Sequence, residues 1–546
     1  MKRVQLIVLF FVSSLAAHSQ VKSLLKAPLG WEHLDLEQDS VWGCSINKAY
    51  EFLKQFTPRQ KVVVAIVDAG GDVNHEDLKN KLWVNKGEIP GDHIDNDKNG
   101  YIDDIHGWNF VGYPDGKQQV RGILEVNREL LRLKDRFLDA DSTKLSKKEM
   151  KEYRYFRDVV MTKPGLPSTF RKVAETEQYL KYIPDFTAQL KEKCSNPDEV
   201  FRYAFSYKIS PSDKGDKTAG NAFYFFESKL RGLPVSKWDS IVSQKENWKK
   251  EVRQEFEDAC KTNQKYIDSL AIIDPHQTNL KERYYGNSNL YARGADHGTH
   301  VGGTIGAERN NGIGMNGIAD AALMFVRILA YFEDETDKNV AAGIMYAVEN
   351  GAKVINMSFG KYLTPHPELV YAAFRYAEKK GVLLVHAAGN DSRDVDTQVH
   401  YPYKKIAKKR AVRNVIEVGA STWEGQPSSF SNYGKNTVDV FAPGSDIYST
   451  IPDNKYLPQS GTSMATPVVS GIAALIWTYF PDLSAEQMID ILKRSVVSRK
   501  GVQVMAPGGS VQGKSTIDFG ELCSSGGIVN AYRAAQLAAE VSKGKK

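Results

Sequence analysis

The residues that could carry chemistry stand at the ends of predicted strands and at the starts of predicted helices. Asp68 ends the apolar run of residues 61–68. His297 lies in the glycine-rich stretch DHGTHVGGTIGA, and Ser463 lies in SGTSMATP, just ahead of a long apolar helix. A carboxylate can orient an imidazole, and the imidazole can in turn take the proton of a hydroxyl nucleophile. These residue types therefore indicate nucleophilic catalysis.

A fourth polar residue, Asn390, follows the apolar run of residues 382–388 after one glycine and offers a side-chain amide donor. A serine at the start of a helix lies in a positive local field, where main-chain N–H groups can receive an oxyanion. Each residue alone has an ordinary structural explanation, because a strand-end Asp often caps a turn and a serine often caps a helix. Their joint occurrence in matching contexts favours catalysis.

Short apolar runs alternate with helical stretches on both sides of residues 117–285. Strands without polar alternation are buried on both faces, as in parallel sheets. The predicted strands are residues 61–68, 323–329, 354–359, 382–388 and 415–420, and the predicted helices are residues 340–349, 369–379 and 467–479. This alternation predicts an open α/β sheet with helices on both faces, whose active site lies at the carboxyl ends of the strands.

Five short motifs give the chain a resemblance to a known family. HGTHVGGT and GTSMATP match its His and Ser motifs, VAIVDAG its Asp motif, VINMSFG its substrate-binding strand and HAAGN its oxyanion segment. Over residues 58–112 and 286–540 the chain resembles the subtilisin-like serine proteases, the subtilase family. The Asp motif departs from the family at Ala69, where Ser or Thr is usual, and this removes one supporting hydrogen bond.

The resemblance implies an α/β fold: a doubly wound, mostly parallel sheet of the subtilisin type with a large helical insertion between the catalytic Asp and His. It also implies an exported serine endopeptidase that hydrolyses peptide bonds through an acyl-enzyme intermediate. Ser463 would be the nucleophile, His297 the general base, and Asp68 the residue that orients His297. Asn390 and the Ser463 main-chain N–H would stabilise the oxyanion. No cofactor is expected for catalysis.

The same resemblance implies where a protein or peptide substrate binds. Its main chain would pair, as an added β-strand, with Ser358, Phe359 and Gly360. The primary specificity pocket would be lined by Ala387, Ala388 and Gly389. The net charge of +6 is modest, and acidic residues are interleaved with the basic ones, so the sequence excludes a nucleic-acid partner.

Residues 117–285 are interpreted as an insertion that interrupts the α/β domain. Apolar residues spaced three and four apart, from Ile123 to Phe137 and again from Trp248 to Ala259, predict amphipathic helices. Since the residues that flank the insertion must meet in one active site, its two ends lie close together. We therefore expect a compact, mostly helical subdomain. It would restrict access to the cleft or hold a partner; the alternative is that it is only a stabilising appendage.

The N-terminus predicts export. Its basic start, its apolar centre over residues 6–12 and the small-x-small sequence AHS before Gln20 are typical of a signal peptide, here residues 1–19. No later apolar stretch is long enough to span a membrane. The expected localisation is secreted, periplasmic or otherwise extracytoplasmic. The remaining parts are an N-terminal extension (residues 20–57), the first part of the catalytic domain (58–116), the insertion, and the second part of the catalytic domain (286–546).

Cysteine usage leaves the pairing open. Four cysteines, Cys44, Cys194, Cys260 and Cys523, allow three pairings if all are oxidised, and the sequence does not choose among them. Cys194 and Cys260 both lie in the insertion, where a local disulfide is one alternative to isolated buried thiols. None of the four has the paired spacing of a zinc site.

Two other classes of function compete with the protease. One is a catalytically silent, subtilase-like binding protein that holds a partner in the cleft, and a complete catalytic set argues against it. The other is an α/β-hydrolase esterase, which needs a G-x-S-x-G elbow and the order Ser, acid, His. Here the serine comes last, in the sequence GTSMA.

An Asp/Asn-rich loop predicts structural calcium. Its oxygen-bearing side chains alternate, with glycine at the sixth position, as at the start of an EF-hand loop. The predicted ligands are Asp95, Asp97, Asn99, the Tyr101 carbonyl and Asp103, with Asp104 as a substitute for the missing bidentate Glu. A surface turn rich in Asp and Asn is the alternative. By resemblance, a second calcium site is formed by Asp77, Asn310 and Asn311.

Overall fold

The computed structural model describes residues 26–138, 140–162, 165–193, 199, 230–231, 233–274, 276–406, 409–509 and 516–544. The predicted signal peptide and Cys194 lie outside the described residues. Within the described part, no helix is both long and apolar enough to cross a bilayer.

A mostly parallel sheet forms the centre of the molecule. The strands are β1 Val63–Asp68, β2 Gly107–Asn109, β3 Ala322–Arg327, β4 Val354–Met357, β5 Leu383–Ala387, β6 Val415–Ser421, β7 Val440–Pro443, β8 Ile447–Ile451, β9 Lys455–Gln459, β10 Val497–Ser498, β11 Gln503–Met505, β12 Thr516–Asp518 and β13 Gly527–Ile528. Among the described residues, the main sheet has nine strands in the order β10-β13-β7-β6-β5-β4-β1-β3-β2. Of these nine, β10 alone runs antiparallel to its neighbour, whereas β8–β9 and β11–β12 form separate antiparallel pairs.

Helices connect and cover these strands. They are α1 Leu36–Asp39, α2 Ile46–Leu53, α3 Glu125–Phe137, α4 Lys147–Met161, α5 Leu166–Lys193, α6 Trp238–Ser243, α7 Lys245–Ile273, α8 Ala295–Gly306, α9 Asp337–Glu349, α10 Pro367–Lys379, α11 Thr462–Tyr479, α12 Ala485–Arg494 and α13 Ala531–Lys543. Short 3₁₀ turns lie between some of them.

The sheet is covered on both faces. Successive strand residues point to opposite faces, so Val64 and Ile66 of β1 join a core with α8, α11 and α13. Ala65 and Val67 of the same strand join a second core with α9 and α10. The predicted fold class, a doubly wound and mostly parallel α/β sheet, is confirmed.

Helix α11 begins earlier than the sequence pattern indicates. The sequence predicts a helical stretch over residues 467–479, just after Ser463. The structure starts the helix at Thr462, so that Pro467 lies inside it. A proline there cannot donate a hydrogen bond to the carbonyl four residues earlier. That carbonyl belongs to Ser463, and it accepts instead from the Ser358 hydroxyl at 2.9 Å.

The helical region, which is the described part of residues 117–285, interrupts the α/β pattern and has its own apolar core. The elements described between residues 125 and 273 are all helical. Apolar residues of α3, α4, α5 and α7 pack together, among them Leu130, Phe156, Phe170 and Phe256. The sheet-bearing part of the chain adds Leu363 to this cluster, so the two regions share an apolar contact.

Two buried lysines join the helical region to the sheet-bearing region. Lys361 Nζ lies 2.6 Å from a carboxylate oxygen of Glu125, and its side chain is 3% exposed. It also lies 3.0 Å from Asp337. Lys338 Nζ lies 2.8 Å from Asp274, and no part of its side chain reaches solvent. A buried charge that loses its partner costs several kcal/mol, so these pairs favour one fixed docking geometry.

The three described cysteines are buried free thiols in three different apolar clusters. Cys44 lies in the main core, Cys260 lies in the core of the helical region, and Cys523 packs near Phe441 and Phe519. Burial raises the pKa of all three thiols. Residues 31–53, which surround Cys44, contribute Trp31, Ile46 and Leu53 to the main core.

Candidate active site

Asp68 and His297 form a hydrogen-bonded pair at the carboxyl end of β1. His297, near the start of α8, places Nδ1 2.7 Å from Asp68 Oδ1. An ionised carboxylate only accepts hydrogen bonds, so Nδ1 carries the proton and a neutral ring leaves Nε2 free to accept one. Burial alone would lower the pKa of His297, but the charge and hydrogen bond of Asp68 outweigh it, and the pKa is raised.

The second oxygen of Asp68 shows what the departure in the Asp motif means. Oδ1 also accepts a 2.7 Å hydrogen bond from the Ala69 N–H. Oδ2 is buried and has no hydrogen-bond partner among the described residues. By the resemblance, the usual residue at position 69 carries a hydroxyl. This chain has Ala69 there, so that hydroxyl is absent and Oδ2 lacks a hydrogen-bond partner in the described part of the chain.

Ser463 and Ser358 hold each other through two hydrogen bonds. The Ser463 hydroxyl donates to the Ser358 carbonyl at 3.1 Å, and the Ser358 hydroxyl donates to the Ser463 carbonyl. Ser358 directly follows Met357, the last residue of β4, so this exchange ties the start of α11 to the sheet. Within the described chain no hydrogen bond joins Ser463 to His297. Such contacts are often loose without substrate and tighten in the reacting complex.

Asn390 is held by the residue before Ser463. Its Oδ1 accepts from the Thr462 N–H at 2.8 Å and from the Thr462 hydroxyl at 2.9 Å. These two bonds fix which way the amide faces, because the oxygen is fully engaged. Across the described ranges Nδ2 has no protein partner and is left to donate to a ligand. β1, β4 and β5 are neighbours in the sheet, so Asp68, Ser358 and Asn390 share one edge.

The segments expected to bind substrate run side by side after β4 and β5. A Cβ built on Gly360 would lie 2.2 Å from a His400 ring carbon, so only glycine fits. Gly389 has a φ of 102° and also faces His400. Ala387 and Ala388 are buried at 2% exposure, so little of either residue reaches solvent at this edge.

Sequence analysis missed the histidine beneath these segments. His386, in the motif HAAGN, is fully buried and lies 2.8 Å from a carboxylate oxygen of Glu417. Its Nε2 lies 2.9 Å from the carbonyl oxygen of Phe359. The pair therefore anchors the Phe359 carbonyl, in the middle of the predicted substrate strand. A histidine opposite a glutamate in two adjacent apolar strands was the available signal.

The Asp/Asn-rich loop folds around its own carboxylates. Oxygens of Glu88, Asp95 and Asp97 lie within 4.8 Å of one another, a donor set that suits a hard cation such as Ca²⁺. Glu88 was missed because it precedes the loop pattern by seven residues. The Asn99 side chain accepts from the Tyr101 N–H and donates to Asp97, so it stays within the loop.

Two predicted loop ligands face other partners. Asp103 accepts from the main chains of Gly91 and His93. Asp104 is buried, where burial raises its pKa to about 6, and it accepts from Tyr346 and Asn85. Asp103 therefore ties the loop to the segment just before it, and Asp104 ties it to α9 through Tyr346.

The second predicted calcium ligand set is brought together only in part. Asn311 Nδ2 donates to Asp77 Oδ1 at 2.7 Å, and the Met315 N–H approaches Asp77 Oδ2. Asp77 is fully buried, and burial raises its pKa. Asn310 contacts Asn316 through its main chain and has a φ of 60°.

A doubly wound parallel sheet with this set of residues along its carboxyl edge defines an α/β protein of the subtilisin-like class. The comparison with known families agrees. The chain belongs to the subtilase family, whose sequence profile (Peptidase_S8) matches residues 59–509.

Several characterised relatives share part of this chain. The thermophilic serine proteinase of Bacillus sp. (strain AK1) is 42% identical over 182 residues, which are 33% of this chain and 42% of that protein. Thermitase of Thermoactinomyces vulgaris is 41% identical over 35% of this chain and 64% of its own. Subtilisin Savinase of Lederbergia lenta is 37% identical over 38% of this chain and 71% of its own. The similarity thus spans less than two thirds of the first two relatives.

Proposed function

We propose that the protein is an exported serine endopeptidase. The observation that carries the proposal is the 2.7 Å contact between His297 Nδ1 and Asp68 Oδ1 at the end of β1. Ser463 is hydrogen-bonded to Ser358, which follows the neighbouring strand β4. The contact between His297 and Asp68 supports a neutral imidazole with Nε2 ready to accept a proton. Family membership and the name of one relative, a thermophilic serine proteinase, point the same way.

The reaction begins when the Ser463 hydroxyl leaves the Ser358 carbonyl and turns toward His297. His297 Nε2 takes the proton as Oγ attacks the scissile carbonyl carbon, and the charge of Asp68 stabilises the resulting imidazolium. The oxyanion accepts from Asn390 Nδ2 and from the Ser463 N–H at the start of α11. His297 then gives its proton to the leaving amine, and water hydrolyses the acyl-enzyme by the reverse sequence.

Substrate would add a strand beside Ser358, Phe359 and Gly360. The Phe359 carbonyl of this segment lies 2.9 Å from His386 Nε2, and the Ser358 hydroxyl donates to the Ser463 carbonyl. A rigid template of this kind positions the scissile bond, because main-chain pairing fixes the register of an added strand. Ala387, Ala388 and Gly389 would line the pocket for the side chain that precedes the scissile bond.

Labelling with a fluorophosphonate probe tests the mechanism. The purified protein is expected to label at Ser463, and Ser463→Ala is expected to abolish labelling. Ser498→Ala, which removes an exposed serine on β10, is the matched control and should label fully. Absence of labelling in the wild type would instead support the catalytically silent binding protein. Peptide-library cleavage with the same proteins then separates an endopeptidase from an esterase.

Structural calcium at the Asp/Asn-rich loop is the second part of the proposal. The carboxylates of Glu88, Asp95 and Asp97 would hold the ion, with Asn99 and the Tyr101 carbonyl nearby. Asp77 with Asn311 would form a further site. Calcium would supply charge neutralisation for a cluster of acids and takes no part in the catalytic steps.

The helical region, residues 117–285, would restrict access to the cleft. Its support is the Glu125–Lys361 pair, because Lys361 directly follows Gly360 of the substrate strand. A bulky protein approaching this strand therefore meets the helical region, whereas a short peptide does not. Export through residues 1–19 completes the proposal, and N-terminal sequencing of the secreted protein tests it.

A further inference from the structure

The His400 ring lies between the two segments that are expected to bind the substrate. Cβ atoms built on Gly360 and Gly389 would lie 2.2 Å and 3.2 Å from His400 Cε1. The same two positions would lie 2.6 Å and 3.1 Å from His400 Nε2. Carbon atoms in contact are ordinarily about 3.5–4.0 Å apart. This edge of the ring therefore occupies the space in which both segments lack a side chain.

Main-chain hydrogen bonds fix the position of the segment that carries the ring. Tyr401 directly follows His400, and it pairs with Lys361, the residue after Gly360. The Lys361 N–H donates to the Tyr401 carbonyl at 2.9 Å, and the Tyr401 N–H donates to the Lys361 carbonyl at 2.8 Å. His400 is therefore joined through its neighbour to the end of the substrate segment itself.

Two neighbouring rings hold the His400 ring in place. The His386 ring stacks on it, with the ring centroids 5.6 Å apart and an angle of 22° between the two planes. The centroid of the Tyr362 ring lies 5.1 Å away. His386 is itself tied to the Glu417 carboxylate and to the Phe359 carbonyl. His400 is 8% exposed, and moving its ring would break both ring contacts, so we expect it to stay in the cleft when a substrate binds.

The Tyr362 ring is anchored in turn. Its hydroxyl donates to the Asp391 carboxylate at 2.7 Å and accepts from Asn432 Nδ2 at 2.9 Å. The Arg393 guanidinium lies over the ring, 4.2 Å from its centroid. Asn432 Nδ2 would also lie 2.3 Å from a Cβ built on Gly389. The wall of the cleft beside Gly389 is therefore filled as well.

The His400 ring is uncharged at neutral pH. Burial lowers the pKa of His400 to about 3, and the charges of His386 and Arg393 lower it as well, against the raising influence of the Ala387 carbonyl. A neutral imidazole offers no opposite charge to an acidic side chain of a substrate. Because burying a charge without a partner is costly, the space above this ring favours an uncharged side chain.

We propose that His400 forms the base of the primary specificity pocket and restricts the residue before the scissile bond to glycine, alanine or serine. The inference rests on the proposed function, because it takes the cleft between residues 358–360 and 387–389 as the place where that side chain enters. A side chain longer than a methyl or hydroxymethyl group would meet the Cε1–Nε2 edge of the ring. The substrates are thus proteins or peptides with a small, uncharged residue at this position.

Cleavage of matched peptides tests the proposal. The peptides differ only in the residue before the scissile bond, which is glycine, alanine, serine, valine, leucine or phenylalanine. For the wild type, kcat/KM for the alanine peptide should exceed that for the phenylalanine peptide at least about tenfold, since one methylene in a shaped pocket is worth about 10–200-fold. His400→Gly removes the ring and should reverse this preference. His93→Asn, which alters an exposed histidine, is the matched control and should keep the wild-type ratio.

Fluorophosphonate labelling of Ser463 in the same proteins shows which proposal has failed if the result is negative. A wild type that neither labels nor cleaves would overturn the proposed function and this inference together. A wild type that labels, but cleaves the alanine and phenylalanine peptides equally well, would overturn the role of His400 alone. A His400→Gly protein that labels and keeps the wild-type ratio would do the same.

A second measurement uses the wild type alone and stands if His400→Gly does not fold. Inhibition constants are measured for two peptide aldehydes that differ only in their last residue, alanine or phenylalanine. The alanine aldehyde is expected to bind at least about tenfold more tightly. Equal constants, or tighter binding of the phenylalanine aldehyde, would refute the assignment of His400.

Discussion

At the scale of single residues, Asn390 divides its two functions between the oxygen and the nitrogen of one amide. Its oxygen is engaged by Thr462, so the free amide nitrogen is the part expected to act on the oxyanion. Asn390→Ala should lower kcat by about 10²–10³, the usual effect of losing one oxyanion donor, with little change in KM.

Steady-state kinetics on a chromogenic peptide measures this effect. Asn80→Ala, which removes an exposed asparagine paired with Glu308, is the control and should leave kcat unchanged. A loss confined to KM would show that Asn390 binds the ground state and the transition state equally.

His297 should govern the acid limb of the pH profile. The raised pKa means that the ring is protonated, and useless as a base, until the pH passes above its ordinary value of 6.5. The imidazolium–Asp68 pair contributes stability that is fully present below that value and is lost as pH rises through the folded pKa. Activity and this contribution to stability therefore change in opposite directions.

Titration of the His297 ring by NMR in Ser463→Ala tests the cause. Asp68→Asn removes the largest raising influence and should lower the pKa markedly. Asp296→Asn removes a smaller one and should lower it less. Equal shifts in the two variants would contradict the assigned cause.

At the scale of secondary-structure elements, the Lys338–Asp274 pair joins the end of α7 to the start of α9. Lys338 Nζ also lies within hydrogen-bond distance of the His276 and Glu282 carbonyls. Lys338→Met would leave the Asp274 carboxylate buried without a cation, so the free energy of unfolding should fall by about 3–5 kcal/mol.

Urea denaturation in the Ser463→Ala background measures that loss. Lys338→Met combined with Asp274→Asn should recover much of it, because no buried charge remains. Lys281→Met, at an exposed position nearby, should change little. If the double variant were as unstable as the single one, lost packing and not the charge would be the cause.

The acidic loop gives a prediction at the same scale. An ion that binds only the folded loop stabilises it by mass action, about 2.7 kcal/mol at a hundred times the dissociation constant. Ca²⁺ should therefore raise the melting temperature, and Asp95→Asn with Asp97→Asn should remove the response. Asp115→Asn, which breaks an exposed pair with Lys117, should retain it. Equal melting temperatures in Ca²⁺ and in chelator would exclude a structural ion here.

Strands and helices differed in how far the sequence could predict them. The central strands were predictable because apolar runs buried on both faces carry their own signal, as in β1 and β6. The hairpin β8–β9 was not, since β9 is largely exposed. Helix α7 runs to Ile273, well past the predicted pattern that ends at Ala259. Beyond Ala259 the buried residues are Cys260, Leu270 and Ile273, which are too widely spaced to continue a pattern of three and four.

The candidate site shows the same division. Short motifs located Asp68, His297 and Ser463 without any structure. Glu88 was missed because it precedes the loop pattern by seven residues, and His386 because its partner Glu417 lies on the next strand of the sheet. The contact between His386 and Glu417 could be predicted only once β5 and β6 were known to be neighbours.

At the scale of the whole molecule, the helical region should make the cleft selective for size. Replacing residues 125–273 with a Gly-Ser linker is expected to leave hydrolysis of a short peptide largely intact. Cleavage of an unfolded protein such as casein should rise severalfold in kcat/KM, because the obstacle beside Lys361 is gone.

The informative quantity is the ratio of kcat/KM for the protein substrate to kcat/KM for the short peptide, because partial misfolding lowers both values alike. The shortened chain lacks Glu125, so Lys361 loses that partner. Lys361→Met in the shortened chain removes this buried charge. An unchanged ratio would assign the helical region the role of a stabilising appendage.

The reactivity of the three buried thiols can report which region of the molecule opens. Cys44, Cys260 and Cys523 each lie in a different apolar cluster, so each is reached by a reagent only when its cluster opens. Brief alkylation followed by peptide mass spectrometry would therefore time the exposure of three regions in one sample. Because the helical region has its own core, Cys260 can react while the other two stay shielded. Heating could then be followed as a sequence of events rather than as a single melting curve.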